Sequence, residues 1–249
     1  MARYPLATDS VDELGELDEF DELERPIDEI PADLLRTTIR ISDRVFFVGH
    51  TGSGKTHLAQ QLLETIVPRR VPVVVIDPKK DFAPTPGHGW DVVSDLPWNW
   101  ESITARRRKP QHLRLIIRPT FAQDYRKHST LNQIYQRVFE RKNALIYLDD
   151  VQRLTAQHMS SAEMAQLVQM GRSLRVSVWA STLRPSGIPR YYTSESDHVF
   201  VFRLRDDEDR KRVASVIGPV GRTHPGPGPF DFWYRPPGVD LLDPVLVHQ

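Results

Sequence analysis

The sequence predicts an α/β fold in which helices flank both faces of a mostly parallel β-sheet. Strand-like apolar runs alternate with helix-like segments along the chain, which is the pattern of such a sheet. A glycine-rich turn joins the first strand-like run to the first helix-like segment. The 249 residues are 39% hydrophobic and 27% charged, as in globular proteins with an apolar core. This length suits one α/β domain with appendages.

Each predicted strand is a short run of apolar, β-branched or aromatic residues, and each predicted helix repeats apolar residues at helical spacing. The predicted strands are Arg44–Val48, Pro72–Ile76, Leu113–Ile117, Ala144–Leu148, Val176–Ser181 and Val199–Arg203. The predicted helices are Thr56–Val67, Leu131–Lys142, Ala162–Met170 and Asp206–Ile217, and the last has acids in its first turn, as the helix dipole favours. Residues 79–110 are predicted to be rich in loops. After the Pro/Gly-rich residues 218–229, an edge strand is predicted at Phe230–Arg235.

The composition excludes several classes of protein. The chain has no cysteine, so it cannot contain disulfides, cysteine zinc sites or a thiol nucleophile, and a reducing compartment is expected. Apolar runs such as Val73–Ile76 are far too short to span a bilayer. The first residues, Met1–Pro5, lack the apolar stretch of a secretory signal. We therefore expect a soluble cytoplasmic protein with no transmembrane segment.

The net charge is zero, but the charges are segregated along the chain. Residues 1–33 contain twelve acids and two arginines, a net charge of −10, which leaves +10 on the remainder. An acidic tail beside a basic body can shield a polyanion-binding surface, although a solvated leader that aids solubility has the same composition. Leu14, Leu17, Phe20 and Leu23 recur at helical spacing, so part of the tail can also dock as an amphipathic helix. We predict a flexible tail over residues 1–36, a core over 37–217 and an extension over 218–249.

Residues 49–56 read Gly-His-Thr-Gly-Ser-Gly-Lys-Thr and match the G-x-x-x-x-G-K-[ST] pattern of a phosphate-binding loop. Glycines let the backbone wrap a phosphate, and the amides of the loop and of the next helix direct positive partial charge inward. Lys55 is expected to contact the β- and γ-phosphates and Thr56 to ligate Mg²⁺. The nucleotide-binding residues predicted from the pattern are Gly49, Thr51, Gly52, Ser53, Gly54, Lys55 and Thr56.

Two acids follow the apolar strand Ala144–Leu148. A phosphate-binding loop needs a carboxylate at the end of a neighbouring strand to hold the metal ion, and Asp149 is predicted to take this role. Asp150 is predicted to polarise the attacking water as a catalytic residue. A pair of acids that only caps the next helix is the alternative, and the complete phosphate-binding loop favours the nucleotide site.

From about Phe46 to Ile217, the chain resembles the FtsK–HerA superfamily of ring-forming, DNA-pumping ATPases. The resemblance depends on the phosphate-binding loop, on Asp77-Pro78-Lys79 after the second strand, on the pair Asp149-Asp150, and on residues 171–186 followed by Ile188-Pro189. The Asp-Asp pair is similar to that of the genome-packaging branch in membrane-containing phages and large DNA viruses. The last block resembles the family's Thr-Gln-Arg-Pro-Ser signature, with Leu183 at the position of the glutamine.

This resemblance implies a RecA-like P-loop NTPase fold of the ASCE type and an ATP hydrolase with ATP and Mg²⁺ as cofactors. It also implies a homo-oligomeric ring, a hexamer or pentamer, that grips the DNA backbone without sequence specificity. In the packaging branch the ring would act at a capsid portal or vertex, and the protein would lie in the host cytoplasm or with the virion.

The resemblance also assigns individual side chains. Arg172 matches the catalytic arginine that reaches the nucleotide of the adjacent subunit, and Arg175 and Arg184 are rival candidates. An arginine there would stabilise the charge that develops on the transferred phosphoryl group. Leucine cannot hydrogen-bond, so with Leu183 in place of the glutamine, either Thr182 or Ser181 takes the role of γ-phosphate sensor, or hydrolysis is coupled differently.

The basic run Arg106, Arg107, Arg108 and Lys109 is a candidate DNA contact. It lies near Trp98 and Trp100, and positive charge together with aromatic surface is typical of proteins that bind the backbone and stack on bases. A solvated loop whose tryptophans belong to the core fits the same residues.

The leading hypothesis is an ATP-driven DNA translocase that packages a viral genome. A plasmid, mobile-element or repair-associated DNA pump is the alternative within the superfamily. From other classes, a small-molecule phosphotransferase would need an acceptor pocket and an arginine-bearing lid within one chain. A slow nucleotide switch in assembly would agree with the leucine at position 183.

Overall fold

The computed structural model describes residues 39–97, 100, 113–118, 124–154, 161–238 and 244–247, with only the helical backbone of residues 124–129. Nine strands form a single sheet in the spatial order β3-β4-β2-β5-β6-β1-β7-β8-β9. The strands are β1 Val45–Val48, β2 Val73–Ile76, β3 Trp90–Val93, β4 Arg114–Ile117, β5 Ala144–Leu148, β6 Val176–Thr182, β7 His198–Phe202, β8 Phe232–Arg235 and β9 Val245–Val247. Strands β1 to β7 are parallel, and β8 runs antiparallel to β7 and β9.

The α-helices are α1 Lys55–Thr65, α2 Asp124–Arg141, α3 Val151–Leu154, α4 Ala162–Met170, α5 Tyr191–Ser194 and α6 Asp207–Ile217. Short 3₁₀ turns lie at Gly171–Leu174, Pro185–Gly187 and Pro219–Arg222. Two of the α-helices begin at a capping side chain. Ser161 accepts a hydrogen bond from the amide of Met164, and Asp206 accepts from the amides of Glu208 and Asp209. These caps satisfy amides that have no partner within the helix.

The central strands are buried on both faces, which explains why they are continuous apolar runs. On one face, residues such as Phe47, Tyr147 and Trp179 pack against α1. On the other face, residues such as Phe46, Ile146 and Val178 pack against α2, α4 and α6. The predicted α/β fold, with a mostly parallel sheet between two layers of helices, is therefore confirmed.

The prediction was wrong at both edges of the sheet. Strand β3 lies inside the region predicted as loops, and its residues are only partly buried, so it lacks the apolar run that marks the inner strands. Phe232–Arg235, predicted as an edge strand, pairs with β7 on one side and β9 on the other. The edge is β9, which has only three residues. Helix α2 also begins at Asp124, seven residues before the predicted start.

Candidate nucleotide-binding site

The phosphate-binding loop connects β1 to α1. The amide of Gly49 donates to the carbonyl of Thr182 over 3.3 Å, and the amide of His50 donates to that of Arg203 over 3.0 Å, so the ends of β6 and β7 hold the start of the loop. A Cβ on Gly49 would lie 2.5 Å from the Cβ of Phe202, which leaves no room for a side chain. Gly54, the N-cap of α1, has φ 94° and no capping side chain, so the first amides of α1 face the cavity unobstructed.

The loop borders a cavity of about 260 Å³. It brings together most of the residues predicted for the site, and it adds others that the phosphate-loop pattern does not contain. The lining residues are Thr51, Gly52, Gly54, Lys55, Thr56, His57, Lys79, Asp81, Asp149, Asp150, Ser181 and Leu183. Gly49 and Ser53 belong to the loop but do not line the cavity, and Ser53 is fully buried.

Lys55 is buried in this cavity. Its Nζ donates to the carbonyl oxygen of His50 at 2.7 Å and to Ser53 Oγ at 3.4 Å. Burial, followed by the nearby charge of Lys79, lowers the pKa of Lys55 to about 8, and the carboxylates of Asp149, Asp150 and Asp81 oppose that shift. A cation in this position is destabilised by its surroundings, and a bound polyphosphate would stabilise it.

Asp149 accepts three hydrogen bonds on one carboxylate oxygen. Oδ1 accepts from the hydroxyl of Thr56 at 3.1 Å, from that of Tyr147 at 2.9 Å and from that of Ser181 at 2.8 Å. Oδ2 is buried and has no hydrogen-bond partner within the part of the chain that is described. An unpaired buried carboxylate oxygen beside a threonine hydroxyl fits the oxygen ligands that Mg²⁺ prefers. These two residues could therefore hold the metal.

The described residues contain no group of three or more His, Asp or Glu side chains that could hold a metal ion by themselves. A metal bound at Thr56 and Asp149 would complete its coordination with phosphate oxygens and water, as Mg²⁺ usually does in nucleotide sites.

Asp150 is held by the chain on several sides. Its backbone adopts φ 57°, and its amide donates to Ser181 Oγ at 2.9 Å. Its Oδ2 lies 2.6 Å from Nζ of Lys79 and 3.0 Å from Nε of Arg153. Its Oδ1 is buried without a hydrogen-bond partner among the described residues. Ser181 therefore joins the two acids, because the same hydroxyl donates to Asp149 and accepts from Asp150.

Lys79 reaches the cavity from the loop that follows β2. Asp77 fixes this loop, because its carboxylate accepts from the amides of Asp81 at 3.0 Å and Phe82 at 3.3 Å, and from Nε of Arg118 at 3.1 Å. This geometry explains why the Asp-Pro-Lys sequence follows the strand. The aspartate shapes the loop and the lysine enters the site.

Thr182 and Leu183 end strand β6 beside the loop. Thr182 is buried, its hydroxyl accepts from the amide of Arg184 at 3.3 Å, and it is not among the residues that line the cavity. Leu183 and Ser181 do line it. Of the two hydroxyls considered as γ-phosphate sensors, the structure therefore places Ser181, and not Thr182, in the cavity.

The three candidate arginines lie at opposite ends of the parallel strands. Arg172 and Arg175 precede β6, whereas the phosphate-binding loop follows the parallel strand β1. The seven residues of β6 separate the two ends of this strand by roughly 20 Å, at about 3.3 Å per residue. Arg172 is exposed and its Nη1 lies 3.1 Å from Asp197 Oδ1. Arg172 and Arg175 therefore cannot reach the cavity of their own chain.

Arg184 follows β6, at the same ends of the parallel strands as the phosphate-binding loop. It pairs with Asp206 at 3.1 Å and with Asp209 at 3.3 Å, and it lines a second cavity of about 320 Å³. Thr51 and Leu183 border both cavities. Arg184 itself does not line the nucleotide cavity, and its guanidinium is paired with two carboxylates of its own chain.

The DNA contacts predicted at Arg106, Arg107, Arg108 and Lys109 and the acidic tail over residues 1–36 lie outside the described residues. Trp100, one of the two tryptophans considered for base stacking, is buried under the guanidinium of Arg141, 4.6 Å from its ring centre. Trp100 is therefore a core residue. None of the helices in the described ranges is long and apolar enough to cross a membrane.

Sequence comparison identifies the family. The profile of the family described as "Helicase HerA, central domain" matches residues 35–170, which is more than half of the chain. The chain belongs to this HerA family. The resemblance to the FtsK–HerA superfamily is therefore confirmed, and this HerA-family chain is a P-loop NTPase. No curated protein matches the chain significantly.

Solved structures similar to the HerA-family chain have the same fold. The genome-packaging NTPase B204 of Sulfolobus turreted icosahedral virus 2, in complex with sulfate, aligns with a TM-score of 0.62 and 11% identity over 84% of this chain and 98% of its own. Its complex with AMPPCP gives 0.58 and 13% over 79% and 93%. The pCW3 conjugation coupling protein TcpA gives 0.51 and 12% over 82% and 59%. At these identities the likeness establishes the fold alone.

Tyr147, Lys79 and Ser181 are site residues that the phosphate-loop and acid-pair patterns did not identify. Lys79 belonged to the Asp-Pro-Lys sequence and Ser181 was a candidate sensor, so both had a signal in the sequence. Tyr147 had none, because an aromatic residue in a buried strand is ordinarily a core residue.

Proposed function

We propose that this chain is an Mg²⁺-dependent ATP hydrolase that drives DNA translocation, and that it serves to package a viral genome. The observation that carries the proposal is the single cavity in which Lys55 and Thr56 of a complete phosphate-binding loop face Asp149 and Asp150, in a member of the HerA family. The phosphate-binding, metal-binding and water-positioning parts of an NTP-hydrolysing site each have a residue of suitable chemistry there.

The residues of the chain divide the chemistry between them. The loop amides and Lys55 bind the β- and γ-phosphates, and Thr56 and Asp149 hold the metal, which supplies charge neutralisation of the phosphates when bound. The hydroxyls of Tyr147 and Ser181 orient Asp149. Asp150 accepts hydrogen bonds from the attacking water and positions it for in-line attack on the γ-phosphate.

Arg172 completes the site from a neighbouring copy of the chain. Its distance from the loop of its own chain supports this proposal, since an arginine at the opposite end of the strands can reach a nucleotide only across an interface. A closed ring of like subunits satisfies this requirement for every site at once. Hydrolysis then depends on assembly, which a translocating ring requires.

The DNA-packaging role is supported by the extent of the structural likeness. B204, which is named as a genome-packaging NTPase, aligns over 98% of its own length, whereas the conjugation coupling protein TcpA aligns over only 59%. This chain thus matches nearly the whole of B204 and little more than half of TcpA. We propose that the basic run at 106–109 grips the DNA backbone.

The test is the ATPase rate of the full chain with and without duplex DNA, beside a mass measurement of the assembled state. We expect stimulation by DNA in a ring, and no turnover in Lys55→Ala, which loses the charge on the β- and γ-phosphates. A monomer stimulated by a small acceptor would establish the phosphotransferase instead. Slow turnover that neither DNA nor an acceptor changes would favour the nucleotide switch.

A further inference from the structure

Lys79 is a second lysine in the nucleotide cavity, and the phosphate-binding loop does not account for it. Its Nζ lies 2.6 Å from Oδ2 of Asp150, and its side chain is 17% exposed while that of Asp150 is 4% exposed. In the chain without nucleotide, the carboxylate assigned to the attacking water is therefore neutralised by an ion pair. A carboxylate oxygen that already accepts from an ammonium group has less capacity left to accept from water.

Hydrogen bonds fix the backbone of the loop that carries Lys79, whereas the side chain of Lys79 can rotate. Asp77 ties the loop through the amides of Asp81 and Phe82 and through Arg118, as described above. The ammonium of a lysine sits on a flexible four-carbon stem with three donors, so it can change partners without a shift of the loop. A change of partner therefore requires only side-chain rotation.

We propose that Lys79 binds the terminal phosphate of a nucleoside triphosphate and releases Asp150 when it does so. This inference rests on the proposed nucleotide site and adds a device that distinguishes a triphosphate from a diphosphate. With a diphosphate bound, the third phosphate position is empty and Lys79 stays on Asp150. With a triphosphate bound, Lys79 exchanges the carboxylate for the phosphate, and Asp150 becomes available to the attacking water.

The surrounding charges favour this exchange. The terminal phosphate carries more negative charge than a carboxylate and offers three acceptor oxygens. Lys79 is also close enough to Lys55 to be the largest contribution after burial to the lowered pKa of Lys55, which places both ammonium groups around the same phosphates. After the exchange, Oδ2 of Asp150 keeps the guanidinium of Arg153 at 3.0 Å and can accept from water in the position that Lys79 has left.

The first test compares affinities for AMPPCP and for ADP by calorimetry in the full chain. We expect Lys79→Gln to lower the affinity for AMPPCP by about 10- to 100-fold, the value of one charged hydrogen bond, and to change that for ADP by less than about twofold. Lys79→Arg should recover part of the loss. Lys80→Gln is the matched control, since Lys80 is the exposed neighbour on the same loop and does not line the cavity.

Unchanged ADP affinity in Lys79→Gln also shows that the variant is folded. An equal loss of affinity for both nucleotides, or a loss for neither, would overturn the inference. If the unmodified chain hydrolyses ATP and responds to DNA while Lys79→Gln discriminates as before, only this inference fails. If the unmodified chain binds neither nucleotide, the proposed function itself fails.

The second test is the structure of the chain with each nucleotide. With AMPPCP and Mg²⁺, we expect Nζ of Lys79 within about 3.2 Å of a terminal phosphate oxygen and more than about 4 Å from Asp150. With ADP and Mg²⁺, the pair with Asp150 should persist. The same ion pair in both structures would contradict the exchange of partners.

Discussion

Ser181 joins the two acids of the site through one hydroxyl group. It donates to Asp149 at 2.8 Å and accepts from the amide of Asp150 at 2.9 Å, while the side chain is 1% exposed. Besides lining the cavity as a candidate γ-phosphate sensor, Ser181 therefore has a structural role. It fixes the relative position of the proposed metal ligand and the proposed base.

We predict that Ser181→Ala lowers the maximal turnover about 10- to 100-fold and raises the Mg²⁺ concentration needed for half-maximal activity, as loss of a supporting hydrogen bond typically does. It should also lower the free energy of unfolding by about 1–3 kcal/mol, because the buried amide of Asp150 loses its acceptor. Steady-state kinetics over a Mg²⁺ titration and urea denaturation measure the two effects.

Ser177→Ala is the matched control. Ser177 is buried on the same strand, four residues earlier, and its hydroxyl donates to the carbonyl of Asp43, far from the cavity. This variant should lose stability and keep its kinetics. If both serine variants had the same turnover, Ser181 would have no part in orienting the acids.

His198 is a buried histidine that gives the stability of the fold a pH dependence. Its Nε2 lies 3.0 Å from a carboxylate oxygen of Asp43, and its Nδ1 lies 2.8 Å from the hydroxyl of Tyr234. A neutral ring satisfies both partners, since Nε2–H donates to the carboxylate and Nδ1 accepts from the tyrosine. Burial is the main cause that lowers its pKa, and Arg235 adds to it against the opposing charges of Asp43 and Asp197.

The unfolded chain therefore binds a proton at His198 before the folded chain does as the pH falls. The contribution of this residue is complete above about pH 6.5 and is lost as the pH decreases below that value. We predict that the free energy of unfolding declines between pH 7 and 5.5, and that the decline is smaller in His198→Gln. Chemical denaturation at each pH measures it. His57→Gln, at an exposed histidine, should retain the full decline.

Whether a site residue could be predicted depended on whether it belongs to a short sequence pattern. Lys55, Thr56 and Asp149 could be predicted because a phosphate loop and a strand-ending acid each impose a local spacing. The sensor role of Thr182 stays a prediction; the structure places Ser181 rather than Thr182 beside the cavity, because successive side chains of a strand point to opposite faces. Tyr147 could not be predicted, because its contact with Asp149 is indistinguishable in sequence from core packing.

At the scale of elements, β6 separates two functional positions. Arg172 and its partner Asp197 lie at one end, and Ser181 and Leu183 lie at the other. The strand is buried along its whole length between β5 and β1. The chain thus carries Arg172 at one end of β6 and the nucleotide cavity at the other, which is the arrangement that the proposed head-to-tail ring requires.

We predict that Arg172→Ala keeps nearly normal ATP affinity and loses about 10³-fold in turnover, since the arginine stabilises only the charge of the transition state. Mixing it with Lys55→Ala subunits should restore part of the activity. In mixed rings, an intact arginine of one subunit meets an intact loop of the next. ATPase titrations of one variant into the other measure the recovery.

Arg175→Ala, at the exposed neighbour on the same edge, is the comparison. If Arg175→Ala shows the loss and recovery in place of Arg172→Ala, the role belongs to Arg175. An absence of recovery in rings that assemble normally would exclude an arginine acting between subunits.

The inner strands of the sheet could be predicted within one or two residues, and the edges could not. Inner strands such as β5 are buried on both faces and therefore consist mostly of apolar residues. Strand β3 is only partly buried and pairs with β4, and this pairing has no signature in the sequence of β3 itself. The place of β8 inside the sheet depends on β9, whose three residues are too few to predict.

At the scale of the whole molecule, the charge is divided between the first 33 residues and the rest. We propose that residues 1–36 form an acidic tail that competes with DNA for the basic body. Residues 1–33 of this tail carry a net charge of −10 and the remainder of the chain carries +10, so the two charges are equal in size. Such competition acts through screened charges and weakens with salt.

We predict that deletion of residues 1–33 tightens non-specific DNA binding several-fold at about 50 mM salt, and that the difference disappears above about 300 mM. Fluorescence anisotropy with a labelled duplex measures the affinity across this range. Replacing the twelve acids with Asn and Gln in the full-length chain should give the same result as the deletion. Unchanged affinity in both variants would leave the tail as a solubility leader or a docking segment.

The place of β1 between β6 and β7 has a consequence for biosynthesis. The strand that precedes the phosphate-binding loop ends at Val48, yet both of its neighbours lie between residues 176 and 202. At about 5–20 residues per second, the ribosome adds that second segment roughly six to thirty seconds after the first. Until then the glycine-rich loop lacks the bonds to Thr182 and Arg203 that hold its start, so we expect a nascent chain to bind nucleotide only after β6 and β7 have been made.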